Sequence, residues 1–358
     1  MRSIILFLAA LALGSCGQSE RINVNSARLG EAWNRENDPI KMEEGYVSDF
    51  AALPLSASLE KTPWSDSYWP SVRGGISARW QGGGPLFQPR LFALRMMPLE
   101  RLARMSPAEK YDVYIGNYNY DTKRQERTRT RPSVESWEGI CHGWAPAAML
   151  FQEPKPVTLR GANGITVPFG SSDVKALLSF YQGQVSDAPT KFLGERCNSD
   201  LERDPAAGES SSCRDTNAGA FHVVLTNMLG LKKKGFVIDR TRSSQVWNQP
   251  VWKYESRVEE TTSPSPGAAL GTVQEVVVSS AVTYTVEIQP QWNALGAKAP
   301  SATAQYRYRL ELDGNGKIIG GEWLTSDRPD FMWMQEAPEF EGYFASLKEI
   351  YQASIRQN

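Results

Sequence analysis

Trp137-Glu138-Gly139-Ile140-Cys141-His142-Gly143-Trp144-Ala145 decides how this chain reads. A cysteine stands where a polar, turn-rich stretch gives way to Ala145-Pro146-Ala147-Ala148-Met149-Leu150, mostly good helix formers. Proline lacks an N–H and is tolerated in the first turn of a helix. The helix is therefore expected to begin near His142 or Gly143, with Cys141 at its N-terminal mouth. Unpaired N–H groups and the helix dipole favour a thiolate there and lower the thiol pKa. The plain alternative is a structural cysteine, since free cysteines are among the most buried residues. Gly139-x-Cys141-x-Gly143-Trp144 is poor material for a core helix, so the nucleophile reading is preferred.

A base for Cys141 has few candidates, because the chain holds two histidines, His142 and His222. Around His222, residues Phe221, Val224, Leu225, Met228 and Leu229 recur at the spacing of an amphipathic helix. Asn217 suits its N-cap and Gly230 its left-handed terminator, although two valines also permit a strand. His222 borders the buried stripe and is read as the base; a core histidine bonded to a backbone carbonyl is the alternative. Phe236-Val237-Ile238 reads as a short buried strand ending at Asp239. A carboxylate there needs hydrogen bonds, and orienting an imidazole is one solution. Pairing with Arg240 or Arg242 is another, and Asp215 is a second, lower-ranked orienter.

Beyond these residues the chain resembles a known family. Trp137-x-Gly-x-Cys-His-Gly-Trp-Ala145, Phe221-His222-x-x-x-Thr-Asn227 and Val246-Trp247-Asn248-Gln249-Pro250-Val251 look like the transglutaminase elicitor proteins. Those are secreted enzymes of oomycetes with bacterial relatives. Ser106 to Asp112 upstream, with Gly320-Gly-Glu-Trp323 and Pro329-Asp-Phe331 downstream, extend the resemblance to about Trp333. It implies protein-glutamine γ-glutamyltransferase activity on a papain-like core, with Cys141 as nucleophile, His222 as base and Asp239 as orienter. The expected partners are proteins bearing glutamine and lysine, or other primary amines. The chemistry needs no cofactor. Calcium enters by resemblance only, for the chain has no Asp-x-Asp-x-Asp-Gly loop to hold it.

The start of the chain suggests a compartment. Met1-Arg-Ser leads into an apolar run from Ile4 to Leu13, too short to span a bilayer. It ends Leu13-Gly14-Ser15-Cys16, which resembles a bacterial lipobox. Cys16 would become the acylated first residue, anchoring an otherwise soluble protein to a membrane. Gly17 after it favours the outer membrane, so a bacterial envelope location is expected. With Cys16 lipidated and Cys141 free, Cys197 and Cys213 remain and can pair in an oxidising envelope. Closing that loop would contribute ~3 kcal/mol. Structural zinc is disfavoured by the absence of Cys-x-x-Cys and His-x₃₋₅-His spacing.

A balance of 39 basic and 40 acidic residues gives no case for nucleic acid. The expected organisation is a signal over 1–15, a tether over 16–60, a catalytic core over 61–262, and a β-rich part over 263–358 packed on that core. Within it, Ser106-Pro107-x-Glu109 reads as a capping-box helix start and Ser172 or Asp173 as the cap of a second helix. Val273 to Val278, Val282 to Ile288 and Ala304 to Leu312 read as strands. Asp313-Gly-Asn-Gly-Lys317 is a hairpin turn, and 344–356 a closing helix. The fold class is α+β, a nucleophile helix packed on an antiparallel sheet.

Trp137, Trp144, Trp247 and Asn248 are the expected substrate-binding residues, the indoles making a water-poor channel that lets amine compete with water. The Val246 to Val251 motif starts seven residues after Asp239, a reach of about 23 Å at most, so it belongs near the site wall. An edge-strand turn with Pro250 blunting pairing and Trp247 in the core is the plainer reading. Three functions stay open: glutamine transamidation; hydrolysis by the same residues as a peptidase, amidase or deamidase; and a non-catalytic binding surface.

Overall fold

The structure, a computed structural model, describes residues 32–196, 216–240 and 244–356. Eight helices of α type are described: α1 (Leu91–Arg95), α2 (Leu99–Ala103), α3 (Pro107–Tyr114), α4 (Asp121–Arg129), α5 (Cys141–Leu150), α6 (Ser171–Phe180), α7 (Ala218–Leu225) and α8 (Leu347–Arg356). The strands are β1 (Ser56–Ser58), β2 (Val157–Arg160), β3 (Thr166–Phe169), β4 (Thr190–Gly194), β5 (Phe236–Asp239), β6 (Asn248–Thr262), β7 (Gln274–Thr285), β8 (Ser301–Leu312), β9 (Ile318–Trp323) and β10 (Phe331–Gln335). Eight of them form one antiparallel sheet in the order β4-β10-β5-β6-β7-β8-β9, with β1 also paired to β6. The remaining two, β2 and β3, form a separate hairpin.

Alternation along the short central strands sorts the two cores. Phe236 and Ile238 of β5 and Met332 of β10 face a core built with α7, while Val237, Phe331 and Trp333 face a core built with α3, α5 and α6. Successive strand residues point to opposite faces, so the sheet stands between α7 and α5. The division governs which functional side chains can meet.

Local rules explain several element starts. Ser106 and Glu109 make the expected capping box at α3. Asn217 caps α7 by accepting from the Gly219 and Ala220 N–H groups. At α6 the cap residue is Gly170; Asp173 sits a turn inside and accepts the Gly170 N–H at 2.7 Å. Gly230 does not end the His222 helix, which runs on as a π-turn over Thr226–Leu231.

Three expectations are corrected. The two strands expected over 273–288 are one, β7, because Ser279 to Ala281 stay paired on both sides. A boundary at 262/263 would fall between β6 and β7, neighbours in one sheet, and β10 lies between β4 and β5. The β-rich C-terminal stretch is thus woven into the same sheet. From Ala32 onward the supposed tether is packed: Met42 and Leu53 are buried, Ala32 bridges to Gly320, and Asn227 accepts from the Val47 N–H.

Candidate active site

Cys141 is the first residue of α5, buried but at the wall of a cavity of ≈ 490 Å³. That volume lies in the usual range for small-molecule and side-chain sites. Its Sγ lies 3.7 Å from the Val246 carbonyl oxygen, which can accept the thiol proton, and 3.5 Å from the Asn248 Nδ2, which donates to sulfur. The indole of Trp333 donates to Asn248 Oδ1 at 2.7 Å. An indole N–H can only donate, so Trp333 fixes the amide oxygen on its side and turns the amide N–H₂ to the sulfur. Trp137, His142, Phe192, Asn248 and Trp333 line the same cavity.

Asp239 ends β5 directly opposite Asn248 in the ladder. Its Oδ1 accepts the Trp247 N–H at 3.1 Å. The carboxylate therefore ties down the backbone between Val246 and Asn248, the segment that touches the thiol. The fully buried Asp239 also contributes a negative charge to the sulfur's surroundings, as does Glu287.

Burial pushes the Cys141 thiol above its ordinary pKa; the Asn248 amide opposes this, and the Glu287 and Asp239 charges reinforce it. Desolvation disfavours the charged thiolate. The direction is opposite to the lowering expected at a helix mouth. Pro146 also stands further in than expected, in the second turn of α5.

His222 is not brought to Cys141. It lies on α7, fully buried against the opposite face of the sheet, with its ring beside Phe50 and Tyr308. Its Nδ1 is 2.8 Å from the Tyr308 hydroxyl, which is 2.7 Å from the Ser280 hydroxyl, itself 2.6 Å from that of Ser256. Burial pushes its pKa down to about 3. In this arrangement a Cys141–His222–Asp239 triad is not assembled; of the three, Cys141 and Asp239 share one neighbourhood. His142 borders the cavity, but its Nε2 is 2.6 Å from the Gln184 amide and burial holds its pKa below the usual value.

The tryptophans divide. Trp137 lines the cavity, whereas Trp144 is fully buried in the helical core and out of substrate reach. Trp247 does not line it; its ring packs edge-on against Tyr68 and donates to Gln245. Asn248 lines the cavity, and so do Trp333 and Phe192, which the sequence reading did not single out. The signal for Trp333 was the Phe331-x-Trp333 alternation, which puts both rings on one strand face. The Val246 to Val251 motif is no edge turn: β6 lies between β5 and β7, and Pro250 is tolerated because the β7 ladder begins only at Val251. Cys16, Cys197, Cys213, Asp215 and Arg242 lie outside the described residues. Among the described residues, no group of three or more His, Cys, Asp or Glu side chains is placed to hold a metal, and no helix is long and apolar enough to cross a membrane.

Residues 117–343, well over half of the chain, match the family model described as transglutaminase elicitor. The chain belongs to the transglutaminase elicitor family. Its fold is similar to the crystal structure of the GP42 transglutaminase from Phytophthora sojae, with a TM-score of 0.68 and 24% identity over 90% of this chain and 99% of that one. No curated protein matches. The matched span contains Cys141, His222, Asp239, Asn248 and Trp333 alike.

Proposed function

We propose that the chain is a protein-glutamine acyltransferase in which Cys141 attacks the glutamine carboxamide. The thiol sulfur bonds to the carboxamide carbon, and the C–N bond breaks. The thiol proton leaves with the nitrogen as ammonia, and a thioester remains on Cys141. A lysine amine then attacks the thioester carbon, the C–N isopeptide bond forms as the C–S bond breaks, and the amine's proton returns to the sulfur. The observation that carries this reading is the meeting of Cys141 and the Asn248 amide at the wall of an aromatic-lined cavity.

At the first position of α5 the Cys141 N–H precedes the intrahelical ladder. With Asn248 Nδ2 it supplies two donors for the developing oxyanion, the largest single catalytic contribution in acyl transfer. The Val246 carbonyl oxygen, 3.7 Å from the sulfur, can hold the thiol proton before it passes to the leaving nitrogen. No step calls for a metal, so activity should survive chelation of calcium.

The test is incubation with a glutamine peptide and a labelled primary amine, following incorporation and ammonia release together. Both should appear, and both should vanish in Cys141→Ala. Ammonia without incorporation at millimolar amine would replace transfer by hydrolysis. The same reading places the protein in a bacterial envelope through acylation at Cys16, supported by the lipobox-like Leu13 to Cys16. Labelled fatty acid should enter the protein in cells and be lost in Cys16→Ala.

A further inference from the structure

Five large apolar side chains within 86–99 stand in solvent: Leu86 is 95% exposed, Phe87 64%, Phe92 82%, Met96 75% and Leu99 50%. Isolated exposed hydrophobics are ordinary, but a contiguous set is not. The segment is firmly seated from behind. Leu94 of α1 and Leu102 of α2 are buried in the helical core, and Leu91 and Met97 pack against it. With Leu91 and Leu94 turned inward, Phe92 of α1 and Met96 just after it, four residues apart, stand outside together with Arg95.

The charges within this stretch have one dominant sign. Arg90, Arg95 and Arg101 are exposed, against the single acid Glu100. We propose that residues 86–101 form a membrane-contact prominence that inserts Leu86, Phe87, Phe92 and Met96 among the lipids of an anionic bilayer, with the three arginines on headgroup phosphates. Two features favour a lipid surface. Exposures of 95% and 82% describe side chains standing clear of their neighbours, as knobs. Fluid acyl chains close around knobs, whereas a protein partner must offer matched pockets. The basic rim also complements phosphate, which guanidinium groups bind bidentately.

This surface is separate from the cavity that holds Cys141, and it is independent of the acylation inferred at Cys16. The experiment uses the chain from Gly17 onward, which keeps every described residue and lacks the acylation site. Vesicles of phosphatidylcholine with 30 mol% phosphatidylglycerol, taken as about a third anionic lipid as in polybasic recognition, are compared with pure phosphatidylcholine by co-sedimentation. Binding should be at least about tenfold stronger to the anionic vesicles and fall with salt. Leu86→Ser/Phe92→Ser/Met96→Ser should abolish it, and Arg90→Gln/Arg95→Gln/Arg101→Gln should erase the anionic preference. Both variants should keep the far-UV dichroism and amine-incorporation rate of the parent. No vesicle binding by the parent, or undiminished binding by the serine variant, overturns the proposal. So does a parent that is dimeric by sedimentation equilibrium while the serine variant is monomeric, since the patch would then cover a second copy.

Discussion

At the scale of single residues, the sulfur's neighbours set the chemistry. Asn248→Ala removes one of the two donors proposed for the oxyanion and should lower kcat by roughly 10²–10³-fold. It should also push the thiol higher still, because the Asn248 amide is what lowers it; iodoacetamide labelling against pH reads this directly. Wild-type Cys141 should label more slowly than free cysteine at pH 7, since its pKa is raised and little thiolate is present. Trp333→Phe keeps an aromatic ring, smaller than indole, and loses the N–H that orients the amide. Activity should fall by up to about 10²-fold, as misplacement of a catalytic group does, with KM little changed. His222 makes a different prediction. Its folded pKa of about 3 lies below the ordinary 6.5, so the unfolded chain takes up a proton that the native state refuses. Stability should be full above pH 6.5 and decline as pH falls from there toward 3. Denaturant melts of His222→Gln should lack this residue's part of that slope. Cys141 at a helix start was legible from residue types and spacing, and Asn248 from the Val246 to Val251 motif. Asp239, expected to orient His222, instead accepts the Trp247 N–H. The role of His222 was not legible, because a rare histidine beside apolar residues looks the same whether it serves a thiol or a core.

Elements decide that question. The helix of His222 was predicted from its 3.6 periodicity and its Asn217 cap, and both stand. Which sheet face it covers is a long-range matter that periodicity does not carry. Helix α5, which begins at Cys141, has a local signature of its own. Gly143 on α5 lies against α6 so closely that an added Cβ would sit on the Ser179 carbonyl oxygen, and a Cβ on Gly183 would lie 2.8 Å from the Gly143 Cα. Gly143→Ala should destabilise the fold by about 1–3 kcal/mol, the usual cost of overpacking. Because the shift occurs two residues from Cys141, activity should fall in the fraction that remains folded; thermal melts with parallel amine incorporation separate the two effects. The glycine was visible in the sequence, but its reason, helix contact, was not.

Across the whole molecule, one sheet joins segments from both ends of the chain. The stretch read as a tether through residue 60 contributes β1 beside β6 and buries Met42 and Leu53. Side chains of that size each contribute about 1.5–3 kcal/mol when buried. A chain beginning at residue 61 should therefore lose its cooperative thermal transition or melt well below the full chain. Low hydrophobicity and many turns made that segment look unstructured, since its few anchors find partners only in distant strands. The same non-local pairing placed β10, and with it Trp333, next to the thiol. The central claim, that the Cys141 cavity is the reaction centre and the His222 core is a structural element, is tested most directly by trapping the intermediate. Acid-quenched protein is analysed by intact mass and peptide mapping after exposure to a glutamine peptide without amine. The account predicts an adduct of the peptide mass less ammonia on Cys141, in the parent and in folded His222→Gln alike, and none in Cys141→Ala. No adduct in the parent, or its loss in a His222→Gln protein that still melts cooperatively, would contradict it.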